Sequence, residues 1–238
     1  MESIAADRIA PGKTRFECQK VLKRDAFGQI EQGFFYRNSG EKVPAIRRLY
    51  TRTFWIRPFA CLLAGNEKTA LARLKNLSAN GQIPELLYAD GNYHVRSFID
   101  GEVLYRHERP LSPDFYKDAR KLLRDLRHQG VCHNDLAKEA NWLVSSDGKK
   151  PVLVDFQLAR CFKNRHSKLF LALCHEDLRH LLKHKRKDMT VTAREARILG
   201  TKAIPTRIWQ MTGRQVYLFI TRKVLGWQDR TGSYERDF

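Results

Sequence analysis

Cysteine is scarce in this chain, and its spacing is not that of a metal site. The five cysteines are scattered over 238 residues and include no C-x-x-C pair. This spacing argues against zinc binding and favours reduced thiols. The cysteines are Cys18, Cys61, Cys132, Cys161 and Cys174.

Long apolar stretches and sorting signals are missing as well. No apolar run approaches the ~18 residues that a membrane span needs. Met1 to Ala10 lacks the basic-then-apolar order of a signal peptide. There is no internal repeat and no low-complexity linker. We therefore expect a cytoplasmic chain that forms one large domain or two small lobes.

A glycine-rich phosphate loop is also absent from the strand-like part of the chain. The runs Phe34 to Tyr36 and Val43 to Tyr50 flank a turn-rich loop at residues 38–41. Gly28 and Gly33 precede that loop, but they do not form a G-x-G-x-x-G motif. If this region covers a bound nucleotide, the sequence therefore gives only a weak indication of it.

Positive charge, in contrast, is in large excess. Lysine and arginine total 44 against 26 aspartates and glutamates, which gives a formal net charge of +18. Such a balance favours anionic partners such as nucleic acid, anionic lipid or phosphorylated glycans. Residues 160–187 are especially basic. The alternative for that stretch is an ordinary solvated face.

Residues 142–154 carry the pattern of a short β-hairpin. Trp142 to Val144 and Val152 to Val154 are β-prone runs, and the turn signal Asp147-Gly148 lies between them. A turn centred near Gly148 places Asn141 opposite Asp155, give or take one residue. Directly paired residues have Cβ atoms about 4.5–5.5 Å apart, so these two side chains could share one hard cation.

Polar residues of complementary chemistry surround this hairpin. His133-Asn134-Asp135 precedes it, Asn141 begins it and Asp155 ends it. In Mg²⁺-dependent phosphoryl transfer, one carboxylate orients or deprotonates the acceptor hydroxyl, while an amide and a second acid hold the metal on the nucleotide phosphates. The alternative is a polar turn between two core strands. Three coinciding groups favour the catalytic interpretation.

These motifs resemble the catalytic loop and metal-binding turn of the protein-kinase-like superfamily. His133 to Asp135 matches the H-R-D position, Asn141 the loop Asn, and Asp155-Phe156-Gln157 the D-F-G position. The resemblance is closest to small bacterial members, the RIO-like kinases and the lipopolysaccharide-core sugar kinases, including Kdo kinases. It implies ATP and Mg²⁺ as cofactors. It also implies Asp135 as the catalytic acid, supported by His133 and by Lys138 on the transferred phosphate, with Asn141 and Asp155 as metal ligands.

Two features depart from the family pattern. Asp135 and Asn141 are six residues apart, whereas the usual loop has five, so the loop carries one extra residue. Gln157 replaces the glycine after Asp-Phe, which removes the residue that most readily adopts a positive φ. The second change predicts a metal-binding turn that does not flip.

The same resemblance assigns nucleotide-binding residues before the catalytic loop. Ala45-Ile46-Arg47 resembles the kinase A-I-K motif, with Arg47 in place of the phosphate-binding lysine; Arg48 is adjacent, and the sequence leaves open which arginine meets the phosphates. Glu67 would orient that base from a helix, and Phe98 and Ile99 would receive the adenine on a hinge. The alternatives are a surface arginine and a solvated glutamate at a helix start.

The resemblance also implies the overall architecture. It is an α+β, bilobal protein-kinase-like fold, with a mostly β N-lobe over residues 1–98 and a reduced, mostly helical C-lobe over residues 99–238. Ser112-Pro113 predicts a helix start, and Leu169 to Lys187 a helix on which Asp177 braces the catalytic loop. Further helices are predicted at Thr192 to Glu195, which reads as a capping box, and at Val216 to Trp227, with Arg222 and Lys223.

The segment after Asp155 favours a small acceptor over a protein. Large protein kinases carry an activation segment that ends in A-P-E, followed by a peptide-docking subdomain. Here Pro205 is the only proline after Asp155, and the residue directly after it is not a glutamate. We therefore expect a hydroxyl acceptor on a glycan or a lipid-linked sugar.

Residues 47–63 interleave arginines with aromatic side chains. Such a pattern suits a membrane surface, where rings lie at headgroup depth and arginines meet phosphates. It predicts peripheral binding to the cytoplasmic face of the inner membrane. The alternative is that Trp55, Phe59 and Leu62 pack under the Glu67 helix.

Three hypotheses follow. The first is an ATP- and Mg²⁺-dependent kinase that phosphorylates a hydroxyl of a lipopolysaccharide-core or similar membrane-linked glycan. The second is a RIO-like serine/threonine protein kinase. The third is a non-catalytic pseudokinase that binds nucleotide, RNA or an anionic membrane. RNA is not favoured, because the sequence shows no pattern of stacking aromatics on a sheet face.

Overall fold

The computed structural model of the protein describes residues 15–201. The fold is α+β, with a five-stranded antiparallel sheet followed by a helical region that carries two small sheets. The chain divides into two compact units, the first ending at Ile99 and the second beginning at Asp100. The helix predicted at Val216 to Trp227 lies outside the described residues.

The first unit is built on one sheet with the strand order β1-β2-β3-β5-β4. Helix α1 (Arg57–Arg73) and the short helix α2 (Lys75–Ser78) connect β3 to β4. Helix α1 begins with a proline in its first turn, which suits a helix start because the first N–H groups have no intrahelical acceptor. The strands are β1 (Phe16–Asp25), β2 (Gly28–Tyr36), β3 (Lys42–Tyr50), β4 (Leu86–Ala89) and β5 (Tyr93–Ser97).

Two glycines allow neighbouring strands to approach closely. A Cβ on Gly33 would lie 1.9 Å from the backbone oxygen of Glu17, and one on Gly28, where φ is +140°, would lie 1.9 Å from the oxygen of Leu49. No side chain fits at such a distance, so these residues serve strand packing. They pair β2 with β1 on one side and with β3 on the other.

The second unit is mostly helical. Three helices carry it: α3 (Pro113–His128), α4 (Lys168–Asp188) and α5 (Ala193–Gly200). Each has a side-chain N-cap: Ser112 and Ser167 accept from the third residue of their helices, and Thr192 forms a full capping box with Glu195. Such caps satisfy N–H groups that have no intrahelical partner. The predicted helix start at Ser112 and the capping box are confirmed.

Short strands in the second unit hold the polar loops together. Strands β6 (Gly101–Val103), β8 (Trp142–Ser145) and β9 (Pro151–Leu153) form one small sheet in the order β6-β8-β9. Strands β7 (Val131–Cys132) and β10 (Arg160–Cys161) form the other. The hairpin predicted around Gly148 is confirmed as β8 and β9, and Gly148 adopts a φ of +72° in its turn.

Within residues 15–201, no helix is long and apolar enough to cross a bilayer. The longest, α4, has 21 residues, and charged side chains recur in it from Glu176 to its end. This finding agrees with the absence of long apolar runs in the sequence.

Candidate active site

Helix α3 leads through Gly130 and β7 into the polar loop. Helix α3 buries Phe115, Ala119, Leu122 and Leu126 along one face. Gly130 then reverses the chain with a φ of +70°, a conformation that glycine adopts at little cost. Strand β7 follows and pairs with β10, Cys132 opposite Arg160. The loop from His133 to Asn141 therefore starts from a rigid, buried base.

Asp135 lies at the centre of a hydrogen-bonded cluster in this loop. Its Oδ2 accepts from Lys138 Nζ at 2.7 Å and from Asn141 Nδ2 at 3.0 Å. The same Nδ2 donates to the backbone oxygen of Asp135 at 2.9 Å. Asn141 is buried, whereas the Lys138 side chain is 60% exposed. The structure therefore brings together Asp135, Lys138 and Asn141, and the extra loop residue does not separate them.

The hairpin register differs by one residue from a direct pairing of Asn141 with Asp155. Trp142 pairs with Leu153, which places Asn141 level with Val154. Val154 N–H donates to the Asn141 carbonyl at 3.1 Å, and His133 Nε2 donates to the Val154 carbonyl at 2.9 Å. The N–H and the carbonyl of Val154, the residue before Asp155, thus both form hydrogen bonds with the loop that contains Asp135. The offset lies within the one-residue tolerance of the prediction.

Asp155 adopts a left-handed backbone conformation, with φ 63° and ψ 66°. Within residues 15–201, Asn134 is the only other non-glycine residue with a positive φ. Asn and Asp tolerate this region better than other residues, and such strain clusters at functional sites. Gln157 does not carry the unusual backbone; its side chain donates to Asp155 Oδ1, and Phe156 is fully buried. The buried Phe156 side chain therefore fixes the centre of the turn that was predicted to bind a metal.

His133 is fully buried in this arrangement. Burial lowers the pKa of its imidazole, against the opposing effect of its hydrogen bond to the Val154 carbonyl. Because a carbonyl only accepts, Nε2 carries the proton. The ring also contacts Phe156, with centroids 4.6 Å apart. A neutral ring without solvent access suits a residue that positions the loop, whereas the sequence placed His133 among the catalytic groups.

Helix α4 holds the loop from behind through Asp177. Its two carboxylate oxygens accept from the backbone N–H groups of His133 at 2.7 Å and of Asn134 at 2.8 Å. This is the bracing contact expected of Asp177. Burial raises the pKa of this carboxyl to about 7, although the two N–H donors favour its ionised form and act in the opposite direction.

A second contact from α4 was missed in the sequence. His184 Nε2 donates to the backbone oxygen of Leu136, the residue after Asp135, at 2.9 Å. His184 is buried, and burial lowers its pKa, so the neutral ring serves as a donor. Asp177 and His184 lie seven residues apart, which places them on one helix face two turns apart. That spacing was the available signal.

The donor set near the loop fits a hard cation. Asn141 turns its Nδ2 toward Asp135, which leaves its amide oxygen for another partner, and Asp155 contributes carboxylate oxygens. Among the described residues, no group of three or more His, Cys, Asp and Glu side chains is placed to hold a metal ion. Two protein oxygens completed by phosphates and water are what Mg²⁺ prefers. The residues present therefore fit Mg²⁺ on a nucleotide rather than a protein-only metal site.

In the first unit, Arg47 is occupied by a different partner from the one expected. Its Nε and Nη2 lie 2.7 and 2.5 Å from Glu31 Oε2, and its guanidinium stacks over Phe16 with 4.5 Å to the ring centroid. Glu31 pairs with Arg47 across β2 and β3. Residues directly opposite in a sheet point to the same face. Glu67 was expected to orient Arg47, but the two form no hydrogen bond or ion pair in this part of the chain.

Glu67 lies instead among the basic residues of the other sheet face. Its carboxylate is buried, 3.3 Å from both His94 Nε2 and Arg96 Nε. Burial raises the pKa of Glu67, but His94, Arg48 and Arg96 outweigh it and hold the pKa well below its usual range. Because side chains alternate along a strand, Arg48 faces Glu67 and Arg47 does not. The sequence left open which of the two arginines lies next to the helix glutamate, and this arrangement favours Arg48.

The remaining residues that were predicted to bind the nucleotide differ in exposure. Ala45 is fully buried in a cluster with Phe16, Phe35 and Val95. Phe98 is 37% exposed, and its N–H already donates to the Pro44 carbonyl at 2.9 Å. Ile99 follows it at the end of the first unit. Thus Ala45 serves the sheet core, and the Phe98 N–H belongs to the strand ladder.

Comparison with known proteins adds no relative. No protein-family model matches the chain, and no curated protein matches it either. Support for a function therefore comes from the arrangement of the chain's own residues.

Proposed function

We propose that the chain is an ATP- and Mg²⁺-dependent phosphotransferase of protein-kinase-like fold that moves the γ-phosphate to a hydroxyl group. The observation that carries the proposal is the Asp135 carboxylate, held by Lys138 and Asn141 in a loop whose backbone is tied to the residue before Asp155. An acid, a flexible cation and two oxygen ligands on one support are the components that phosphoryl transfer requires.

Each residue of the cluster has a distinct role in the proposal. Asp135 orients the acceptor hydroxyl and accepts its proton as the new bond from oxygen to the γ-phosphorus forms and the bond from that phosphorus to the leaving ADP breaks. Lys138, whose side chain is 60% exposed, moves from Asp135 to the transferred phosphate, where a cation stabilises the developing charge. Asp177 and His184 keep the loop in register. Asn141 and Asp155 would hold Mg²⁺, which neutralises charge on the nucleotide phosphates when bound.

Arg48 is the favoured phosphate-binding base of the first unit. It lies on the sheet face toward which Glu67 of α1 points. The Glu67 carboxylate lowers the free-energy cost of placing a cation there. Arg47 Nη2 lies 2.5 Å from Glu31 Oε2, so this arginine stabilises the pairing of β2 with β3. Arginine recognises phosphate in a forked geometry, unlike the point charge of lysine.

The acceptor is proposed to be a lipopolysaccharide-core or similar membrane-linked glycan at the cytoplasmic face of the membrane. Only residues 159–167 separate the turn at Phe156–Leu158 from α4, and two of them form β10. A linker of that length offers little surface for an extended peptide. A protein serine or threonine acceptor, as in RIO-like kinases, is the alternative outcome of the acceptor test.

A non-catalytic nucleotide-binding role is the second candidate. The observation in its favour is that Ala45 and the Phe98 N–H, both assigned to the nucleotide, are used by the sheet itself. A protein that kept the fold but not the chemistry would not depend on Asp135.

The test separates binding from transfer with two variants of the same kind. Asp135→Asn is expected to keep Mg-ATP affinity within about threefold and to lose transfer by a factor of about 10²–10⁴, the usual contribution of general base catalysis. Asp155→Asn is expected to lose the Mg²⁺-dependent part of ATP binding, as measured by calorimetry with and without Mg²⁺. Asp114→Asn, an exposed acid of α3, serves as the matched control. Normal transfer by both site variants would show that the site is wrongly assigned.

A further inference from the structure

Four of the five most exposed large apolar side chains of the described residues lie around the start of α1. Trp55 is 85% exposed, Phe54 76%, Leu62 50% and Phe59 48%. Phe54 and Trp55 contact each other edge to face at 5.1 Å, and Phe59 rests on Phe27 at 5.7 Å. The expected alternative, in which Trp55, Phe59 and Leu62 pack under the Glu67 helix, is contradicted by this exposure.

The surface is formed by local chain geometry rather than by a loose tip. The N–H groups of Ile56 and Arg57 both donate to the Thr53 carbonyl, at 3.1 and 2.8 Å, so that the chain turns directly into α1. Phe59 and Leu62 are three residues apart in α1 and therefore share one side of the helix, and Trp55 lies in the turn that precedes it. Helix α1 buries a different set: Ala60, Ala64, Glu67 and Leu71.

The segment that carries these rings has charged side chains of one sign only. From Lys42 to Asn66 the chain has no aspartate or glutamate, and the first turn of α1 has no acidic residue. Arg52 and Arg57 are exposed next to the rings. We define Arg52, Phe54, Trp55, Arg57, Phe59 and Leu62 as the aromatic-basic surface. It combines aromatic rings, an aliphatic side chain and guanidinium groups, and the segment that supplies them contains no carboxylate.

We propose that the aromatic-basic surface docks the protein on an anionic phospholipid bilayer. Trp and Phe lower their free energy at headgroup depth, and arginines meet lipid phosphates at the same level. Single-stranded RNA fits less well, because its recognition uses rings on which bases stack, and Leu62 offers no such plane. The proposal concerns binding alone and does not depend on phosphoryl transfer.

The experiment is flotation of the full chain with vesicles of phosphatidylcholine, with or without phosphatidylglycerol, in the absence of nucleotide. The expected result is binding to the anionic vesicles, weakened by salt, with little binding to the neutral ones. Trp55→Ser is expected to weaken binding about tenfold, which corresponds to keeping about 60 Å² of ring surface in water. Arg52→Gln with Arg57→Gln is expected to weaken it roughly thirtyfold, since each basic residue near an anionic surface contributes about 1 kcal/mol.

Two exposed residues elsewhere provide matched controls. Leu169→Ser removes an apolar side chain that is 50% exposed, and Lys121→Gln removes an exposed cation. Both are expected to bind as the unmodified chain does, as is Asp135→Asn. Circular dichroism melts show whether each variant is folded.

Four outcomes would overturn the proposal. They are no binding to anionic vesicles at low salt, equal binding to neutral vesicles, unchanged binding of Trp55→Ser, and equal losses in the controls. A Trp55-dependent affinity for an RNA oligonucleotide or for a second copy of the chain, without vesicle binding, would assign the surface to that partner instead. Loss of transfer activity, in contrast, leaves the proposal untouched, because flotation needs no nucleotide and no acceptor.

Discussion

Replacing Glu67 with glutamine should destabilise the first unit strongly. Its carboxylate is buried and lies 3.3 Å from both His94 and Arg96. The amide would keep the shape of the side chain but leave Arg48 and Arg96 without their counter-charge. Breaking a buried ion pair by removing one partner costs about 3–5 kcal/mol. We expect Glu67→Gln to reduce the free energy of unfolding by that amount in urea at neutral pH.

The matched control is Glu41→Gln. Glu41 also pairs with an arginine, Arg37, at 3.2 Å, but its side chain is 62% exposed. Exposed pairs contribute about 0–1 kcal/mol because water and salt screen them. Equal effects of the two substitutions would refute the claim that the buried Glu67 carboxylate neutralises the neighbouring arginines.

Acid should reveal the same interaction. The folded pKa of Glu67 lies below its usual value of 4.5. Its contribution is therefore present above the unfolded pKa and is lost as pH falls through the folded pKa. The unmodified chain should lose more stability than Glu67→Gln on acidification below about pH 4.5. Parallel curves for the two proteins would contradict this reasoning.

Three further predictions concern the sheet, the loop and the nucleotide. Gly33→Ala should lower the free energy of unfolding in urea by more than about 2 kcal/mol, roughly the cost of displacing a packed backbone. Gly65→Ala, which has open space around it in α1, should instead raise it by about 0.5–1 kcal/mol. Similar effects of the two substitutions would refute the close approach of β1 and β2 at Gly33. Burial raises the pKa of Asp177 from 3.8 to about 7, so the folded chain holds a proton that the unfolded chain has lost. Stability should therefore fall as pH rises from about 4 to 7, by up to about 1.4 kcal/mol per pH unit from this group, and urea midpoints of Asp177→Asn should lack this slope. Arg48→Gln should weaken Mg-ATP binding in calorimetry by about tenfold, the effect of losing one charged hydrogen bond. Arg47→Gln should mainly lower the stability of the chain. The reverse pattern would assign phosphate binding to Arg47 instead.

The elements that could be predicted depend on neighbours in sequence. The Ser112 cap, the capping box at Thr192 and the turn at Gly148 are local signals, and each element lies where its signal indicates. The hairpin also brought Asn141 within one residue of the predicted register, because a short turn fixes which residues can pair.

The features that escaped prediction depend on residues far apart in sequence. Nothing local indicates that Arg47 pairs with Glu31 across two strands or that Glu67 lies among His94 and Arg96. Both pairings depend on which face of the sheet α1 covers. The alternation of side chains along a strand does not indicate which face that will be. The exposure of Trp55 is likewise set by tertiary packing, since the same apolar spacing would suit a buried helix face.

The loop around Asp135 combines both situations. Its polar residues stand out in the sequence, whereas the groups that hold it come from α4, more than 40 residues later. Asp177 could be predicted from the resemblance. His184 could be singled out only by its seven-residue spacing from Asp177, because α4 carries two other histidines and the sequence alone does not show which helix face meets the loop.

The central claim is that this loop transfers phosphate, and labelled γ-phosphate tests it most directly. Mg-ATP would be incubated with the protein and a cell-envelope lipid extract or, in parallel, a protein extract, with Asp135→Asn as the control. We predict label in the glycolipid fraction that disappears with Asp135→Asn. Label in protein alone would assign the acceptor to serine or threonine side chains. Label that persists with Asp135→Asn, or its absence from both fractions, would contradict the account and favour a non-catalytic nucleotide-binding protein.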